Sequence, residues 1–254
     1  MIIDIDVGNT RVKWRLSDEK GVVLKRGFIP TSAVISLSSL NVLFAEELLS
    51  GLQHVRIAAV VSSHNDAFGA WAKQYDIEPF FASVSAHCAG VTNAYTTVAQ
   101  MGVDRWLATI AAFHQVKGAC IVVDAGSALT IDVVQADGKH AGGYIVPGLE
   151  MMYRSLLGDT EQVILPQVMR NEYPLNLIPG ANTQQAVLSG LPLMLLGLVS
   201  NTLSTNEGVC ASSVIFVTGG NGDYISTLLQ HHDIRNIMHN PELVLDGLSL
   251  AFNE

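Results

Sequence analysis

The sequence predicts an α/β protein made of two similar halves that face each other. Short apolar runs alternate with helix-period segments along the chain, which is the pattern of layered α/β architecture. The opening stretch, Ile2-Ile3-Asp4-Ile5-Asp6-Val7-Gly8-Asn9-Thr10, is a β-branched run that ends in Asp, Gly and small polar residues. Such a run reads as a buried strand delivering a polar turn to one sheet edge. Near the middle of the 254 residues, Ile121-Val122-Val123-Asp124-Ala125-Gly126-Ser127 makes the same move again. No low-complexity linker separates the two, so tightly packed halves are expected at residues 1–117 and 118–254.

In the first half, Arg11–Leu16 alternates polar and apolar residues at strand period. Ser17–Gly21 is a turn and Val22–Phe28 a third strand. A helix is expected over Val42–Leu52, with Phe44, Leu48, Leu49 and Leu52 on one face. Val55–Val61 has the continuous apolar character of a parallel-sheet strand. Ala67–Tyr75 reads as a helix and Pro79–Ala82 as a short strand. The irregular stretch Ser83–Met101 ends in Gly102-Val103-Asp104-Arg105, where a strongly helical segment begins. Asp104 there has a plain explanation, since Asp caps helices and suits the dipole. Arg105 does not share it. A cation in a first turn is better motivated by an anionic ligand or a partner carboxylate.

The second half repeats the order. Ala119–Asp124 and Leu129–Val134 are strands, Asp137-Gly138 is a hairpin turn, and Gly142–Val146 is the returning strand before Pro147-Gly148. Leu149–Leu157 reads as a helix. Leu156–Gly180 is rich in loop residues, with Pro166, Pro174 and Pro179, and suits a lid or an interface arm. Asn182 or Thr183 is the candidate cap of a long helix to about Leu203, kinked or restarted at Pro192. Val214–Val217 is a strand leading to Thr218-Gly219-Gly220, followed by a helix around Tyr224–Leu229. A strand at Ile234–Met238 and a helix over Pro241–Phe252 close the chain.

Composition narrows the function classes. Charged residues make up 15%, against about 25% in typical globular chains, which points to surface buried in a partner subunit. The long apolar helix after Thr183 is the expected interface of a homodimer. The net charge is −9 with no Lys/Arg cluster, which argues against a nucleic-acid partner. Cys88, Cys120 and Cys210 are scattered and lack metal-ligand spacing, as expected of reduced thiols in a cytoplasmic protein. The N-terminus opens into a strand carrying two acids, so no signal peptide is expected. The best membrane candidate, Ala186–Val199, offers about 14 residues where a span needs roughly 20, so a soluble protein is expected.

The turns suggest the chemistry. Gly lets backbone approach closely, and N–H groups with hydroxyl or amide side chains donate to phosphate oxygens. The carboxylates of Asp6 and Asp124 would repel phosphate, so their role involves a cation, either Mg²⁺ or a monovalent ion. One Asp-x-Gly turn is more often a plain turn than a site; two in equivalent places of a repeated unit carry weight. Thr218-Gly219-Gly220 adds a flat Gly surface suited to an adenine ring or ribose.

At this point the chain resembles type III pantothenate kinases. The residues that carry the resemblance are Asp6-Val7-Gly8-Asn9-Thr10, Gly102-Val103-Asp104-Arg105, Asp124-Ala125-Gly126-Ser127-Ala128-Leu129-Thr130, Gly142–Gly148 and Thr218-Gly219-Gly220, in order and spacing. Gly-x-Asp-Arg is the specific part; the turns alone indicate the wider superfamily of sugar kinases, acetate kinase, Hsp70 and actin. The resemblance implies a duplicated ribonuclease-H-like (actin-like ATPase) fold with a cleft between the halves. It also implies a homodimer and ATP-dependent phosphorylation of pantothenate, the first step of coenzyme A synthesis. Asp6, Val7, Gly8, Asn9, Thr10, Arg11, Val12 and Lys13 match positions that bind ATP phosphates, as does Ser127, and Gly219 and Gly220 match further ATP-binding positions. Asp104 matches the proton acceptor for the pantothenate hydroxyl. Tyr95, Gly102, Val103, Asp104, Arg105 and Thr183 match substrate-binding positions, and Asp124 the ligand of K⁺ or NH₄⁺. Mg²⁺ is implied with ATP. Ser127 stands where the family commonly has Thr, and it keeps the hydroxyl.

Plainer readings stand beside these. Lys13 is a phosphate ligand or a solvated edge lysine, and Tyr95 without the resemblance would be packing. His231, His232 and His239 lack metal spacing and read as solvated surface; Trp14, Trp71 and Trp106 read as core or interface. The alternatives to a pantothenate kinase are a catalytically silent nucleotide-binding regulator on the same fold and a kinase for another small hydroxylated acid. Asp104 separates the regulator from the kinases, because a pure binder needs no base beside a γ-phosphate.

Overall fold

Ile3, Ile5 and Val7 of β1 (Ile2–Val7) are fully buried on one face of the first sheet, and Asp4 and Asp6 lie on the other. A computed structural model of the chain describes residues 1–33, 37–44, 51–60, 64–158, 173–205 and 213–253. Around β1 lie β2 (Arg11–Ser17), β3 (Val23–Pro30), β4 (His54–Ala59) and β5 (Phe80–Phe81), in the order β3-β2-β1-β4-β5. The β1–β2 and β2–β3 pairs are antiparallel, and the β1–β4 and β4–β5 pairs parallel.

The apolar face of this sheet packs under α1 (Leu37–Leu43) and α2 (Asn65–Lys73). Phe44 lies edge-on to Trp14 at 5.4 Å between ring centroids and 5.0 Å from Trp71, which continues to Tyr75 at 5.5 Å. Trp14 and Trp71 are therefore core residues. The α1 helix overlaps the expected Val42–Leu52 at Val42 and Leu43, and Leu40 and Phe44 are its buried i, i+4 partners. Residues 45–50 of that expectation lie outside the described residues, as do 61–63.

A small hairpin, β6 (His87–Cys88) and β7 (Val91–Thr92), and a 3₁₀ turn at Val98–Gln100 fill the stretch read as irregular. They lead into α3 (Val103–Val116), whose Trp106, Leu107 and Ile110 are fully buried.

The second sheet repeats the first: β8 (Cys120–Ala125), β9 (Ala128–Val134), β10 (His140–Pro147), β11 (Val214–Thr218) and β12 (Ile237–His239) stand in the order β10-β9-β8-β11-β12. Two antiparallel pairs are again followed by two parallel ones. Two sheets of this order and sense make the duplicated ribonuclease-H-like fold. Ile121, Val123 and Ala125 of β8 face a core built with α4 (Leu149–Gly158), α5 (Thr183–Thr205) and α6 (Gly222–His231).

The α5 helix runs through Pro192 instead of restarting there. Asn182 caps it by accepting from the backbone N–H of Gln185 at 2.9 Å, while Gln185 Oε1 accepts from Ala181 N at 3.1 Å. Leu191, Leu195, Leu196 and Val199 enter the core, and Leu193 and Met194 stay exposed. At 23 residues, α5 is the one described helix long and apolar enough to cross a membrane by length and composition. Residues 159–172 of the loop-rich stretch, and Cys210, lie outside the described residues.

The last helix, α7 (Leu243–Phe252), returns to the first sheet. One compact unit therefore holds Met1–His114 with Glu242–Glu254 and the other holds Gln115–Pro241, where a simple cut at 117/118 was expected. Charge brings α7 back. Across the polar face, Arg26, Arg15, Asp4, Arg56 and Phe80 are successive register partners on β3, β2, β1, β4 and β5. Asp4 accepts from Arg56 Nε at 2.6 Å and from Arg15 Nη2 at 3.2 Å. Arg15 Nη1 also donates to Asp246 at 2.6 Å and to Glu242 at 3.2 Å. Phe252 closes the far end, stacking on Arg56 (5.4 Å) and meeting Phe80 (5.4 Å) and His54 (5.1 Å). Buried charges persist only when paired and hydrogen-bonded in this way.

Candidate active site

Asp6, the penultimate residue of β1, has Lys13 as its register partner on β2. Their side chains share one face about 5 Å apart at Cβ. Since β2 lies between β3 and β1, Lys13 is not on an edge strand. The Gly8-Asn9-Thr10 turn is tied down by bonds that sequence reading did not find. Gly8 N donates to Arg11 O at 3.0 Å, Thr31 Oγ1 donates to Gly8 O at 2.7 Å, and Thr31 N donates to Thr10 O at 3.0 Å. Asn9 and Thr10 present exposed polar groups. Val7 and Val12 are fully buried, so they offer a ligand backbone only. Arg11 stacks over Phe28 at 5.2 Å.

The same unit holds the Gly102–Arg105 segment. Asp104 Oδ1 accepts from the backbone N–H of the next residue, Arg105, at 2.8 Å, so the carboxylate satisfies one of the free N–H groups of the first turn from inside α3 rather than from its N-cap. A Cβ on Gly102 would lie 2.6 Å from that same Oδ1, so residue 102 must be Gly for the carboxylate to sit where it does. Val103, half-buried, opens the helix. Arg105 is 5% exposed and donates from Nη1 to Tyr95 Oη at 2.9 Å, with its guanidinium 5.8 Å from the Tyr95 ring centre. Tyr95 is itself placed by Asn93, whose Oδ1 accepts from Tyr95 N at 2.9 Å. Structure thus brings Tyr95 to Arg105 and Gly102 to Asp104. Asn93 was missed, since one amide in an irregular stretch carries no periodic signal.

In the second unit three turns converge. Asp124 is the penultimate residue of β8, as Asp6 is of β1. Gly148 N donates to Ser127 O at 3.0 Å, and a Cβ there would fall 2.6 Å from the carbonyl oxygens of Gly126 and Ser127. Asn221 N donates to Ala125 O at 2.8 Å. Gly219, at φ +89°, lies so close that a Cβ would strike Asp124 Oδ1. Ser127 and Gly220 are exposed at the rim, and Thr183, also exposed, opens α5.

The donors around Asp124 suit a hard cation. Its register partners are Thr130 on β9 and Thr218 on β11, which put two hydroxyls beside the carboxylate. Thr218 Oγ1 is buried without a hydrogen-bond partner. Oxygen donors of this kind fit K⁺ or NH₄⁺ and do not fit a thiophilic metal. Among the described residues there is no group of three or more His, Cys, Asp or Glu that could hold a metal ion. His232 Nε2 pairs with Leu175 O at 2.9 Å, and His239 Nδ1 lies 4.0 Å from Asp223. Cys88 and Cys120 are buried free thiols, and burial pushes the Cys120 thiol up to about 12.

Comparison with known proteins places the sequence in a family. The type III pantothenate kinase model matches residues 2–205. A type III pantothenate kinase from Pseudomonas savastanoi pv. phaseolicola is 31% identical over 255 residues, covering 99% of this chain and 98% of the relative. One from Azotobacter vinelandii is 33% identical over 264 residues with the same coverage of 99% and 98%. Among solved structures, the activator of 2-hydroxyisocaproyl-CoA dehydratase from Clostridium difficile, with bound ADPNP, superposes at a TM-score of 0.56 with 12% identity, covering 99% of this chain and 94% of that one. The ethanolamine utilization protein EutJ from Carboxydothermus hydrogenoformans gives 0.50 with 13% identity, covering 98% and 88%. Those two likenesses speak for the fold; the sequence matches speak for the family. The chain belongs to the type III pantothenate kinase family and is a kinase.

Proposed function

We propose that the protein transfers the γ-phosphoryl group of ATP to the primary hydroxyl of pantothenate, with Asp104 as the general base. The observation that carries this is the Gly102–Asp104 contact: Gly at 102 makes room for a carboxylate at the start of α3, next to an Arg fixed on a tyrosine. The hydroxyl oxygen attacks the γ-phosphorus, its proton passes to Asp104, and the bond from phosphorus to the β,γ-bridging oxygen breaks, releasing ADP. Such a transfer demands positioning and charge neutralisation more than covalent help. Asn9, Thr10, Arg11 and Lys13 donate to phosphate oxygens, with Ser127; Val7, Gly8 and Val12 line the phosphates with backbone, and Asp6 acts there through a bound cation. Gly219 and Gly220 give the nucleotide a flat backbone surface. Arg105, held by Tyr95, receives the polar end of pantothenate, with Gly102, Val103 and Thr183 completing its contacts.

A Mg²⁺ ion with ATP, and K⁺ or NH₄⁺ at Asp124, supply positive charge that offsets the charge developing on the phosphoryl oxygens. Homodimerisation through the exposed side of α5 is supported by Leu193, 51% exposed, and Met194, 63% exposed; a sedimentation profile of a lone monomer would count against it. A cytoplasmic enzyme acting without nucleic acid or membrane fits the net charge of −9 and the scattered cysteines. ADP release measured by enzymatic coupling, with and without pantothenate in the presence of KCl and MgCl₂, tests the reaction. Release that does not depend on pantothenate sinks it.

A further inference from the structure

The proposed reaction gives the hydroxyl of Thr218 no role. Thr218 is 1% exposed, and its Oγ1 is one of the few buried side-chain atoms among the described residues with no hydrogen-bond partner. A buried donor-acceptor group left unpaired calls for an explanation, and a ligand that completes it is one. Its position supplies the rest. Thr218 ends β11 directly beside Asp124 in parallel register, so both side chains leave the sheet on the same face. The next residue, Gly219, turns away at φ +89°, and the space where its Cβ would stand is taken by Asp124 Oδ1. The carboxylate therefore leans toward the end of β11, the side on which Thr218 stands. On the other side Asp124 is in register with Thr130, which is only half-buried.

The first unit shows that this hydroxyl is not a requirement of the repeated fold. There Asp6 has Ala58 in the place of Thr218 and Lys13 in the place of Thr130. The unit that presents a lysine beside its aspartate presents no hydroxyl; the unit without the lysine presents two. A lysine brings its own positive charge, whereas hydroxyl oxygens next to a carboxylate are the donor set of a bound hard cation.

We infer that Thr218 Oγ1 is a second protein ligand of the monovalent cation held at Asp124, and that it sets the affinity of that site. This rests on the cation reading under the proposed function, and the test keeps the two apart. Thr218→Val removes the hydroxyl at nearly constant volume, and Thr218→Ser restores it. Each is measured in two ways: half-saturating KCl in the kinase assay, and the rise in melting temperature on adding KCl to protein with Mg²⁺ and a non-hydrolysable ATP analogue. Choline chloride holds the ionic strength constant. Thr218→Val is expected to raise half-saturating KCl about tenfold, the scale set by losing a ligand or its support at a metal site, and to shrink the KCl-dependent rise in melting temperature. Thr218→Ser recovers both.

Without KCl the Thr218→Val protein melts no lower than the parent, because an apolar isostere relieves an unpaired buried hydroxyl; a merely structural Thr218 would give the opposite sign. If Asp124→Asn abolishes the KCl response while Thr218→Val leaves it at the parental value, the Thr218 inference is overturned and the cation reading stands. If the parent shows no KCl response, or Asp124→Asn keeps it, both fall.

Discussion

A side chain on Gly219 would run into Asp124: a Cβ built there meets the Oδ1 of that carboxylate and stands 2.5 Å from the carbonyl carbon of Ala125, at φ +89°. Gly219→Ala therefore strains the backbone and displaces the carboxylate together. A stability loss of about 2 kcal/mol or more is expected, a fall in Tm of roughly 4–8 °C. Thermal melts with and without KCl check it, and the variant should respond less to KCl than the parent. An unchanged melt would mean that the turn relaxes freely and that Asp124 is not held by it.

Gly102 stands to Asp104 as Gly219 does to Asp124, but here the effect is on the reaction. The Cβ of Gly102→Ala would lie 2.6 Å from Asp104 Oδ1, in a half-buried first turn. A base moved by about 1 Å costs on the order of 10²-fold in rate. The expected result is a fall in kcat of that size with the KM for ATP little changed. Steady-state kinetics with each substrate varied separates this from a general loss of folding.

The charged row on the first sheet predicts an uneven response. Asp4 is fully buried between Arg15 and Arg56, so Asp4→Ala leaves two guanidinium groups short of a counter-charge and should cost about 3–5 kcal/mol. Asp246 also pairs with Arg15, but its side chain is 31% exposed and Glu242 can take over part of its work. Asp246→Ala should therefore cost no more than about 1 kcal/mol. Urea denaturation of both variants tests the ranking; equal losses would show that the row does not act as described.

How much of this was legible beforehand differs by residue. Two equivalent strand–Asp–Gly turns were visible because they are local, and the order of the two sheets follows once those turns are matched. The alternation of Arg11–Leu16 correctly gave a strand, but period alone does not say which face is wet. Arg15 is buried on the polar face because Asp4, Glu242 and Asp246 meet it there, and the last two lie 227 and 231 residues away. Such distant pairing leaves no local mark, which also explains why the return of α7 to the first sheet went unseen. Ser189, Gly190 and Pro192 look like interruptions of an apolar segment, yet Asn182 caps one continuous helix from Thr183 to Thr205. In the candidate site the motifs supplied Asp104, Arg105 and Asp124. Thr31, which ties down the Gly8–Thr10 turn, Asn93, which places Tyr95, and Asn221, which holds Ala125, act through hydrogen bonds that no repeat or spacing reveals.

Burial of Cys120 makes stability fall at high pH. Burial moves its thiol from 9.0 up to about 12, so folding favours the protonated form. That contribution is complete below about pH 9 and is lost as pH rises through about 12, at up to about 1.4 kcal/mol per pH unit. Tyr173, raised from 10.0 to about 12 mainly by burial, adds its own decline above pH 10. Cys120→Ala should flatten the slope between pH 9 and 10, read by urea denaturation at each pH. A slope as steep as the parent's would place its origin elsewhere.

The proposed base is tested most directly by Asp104→Asn. Asn keeps a side-chain oxygen that can accept from Arg105 N, so that bond and the fold are retained while the proton acceptor is lost. Pantothenate-dependent ADP release is to be measured for both proteins at saturating ATP with MgCl₂ and KCl, beside ATP binding by calorimetry. The account predicts that Asp104→Asn binds ATP as the parent does while turnover drops about 10²–10⁴-fold. Turnover near the parental rate would contradict the assignment of Asp104 as the base.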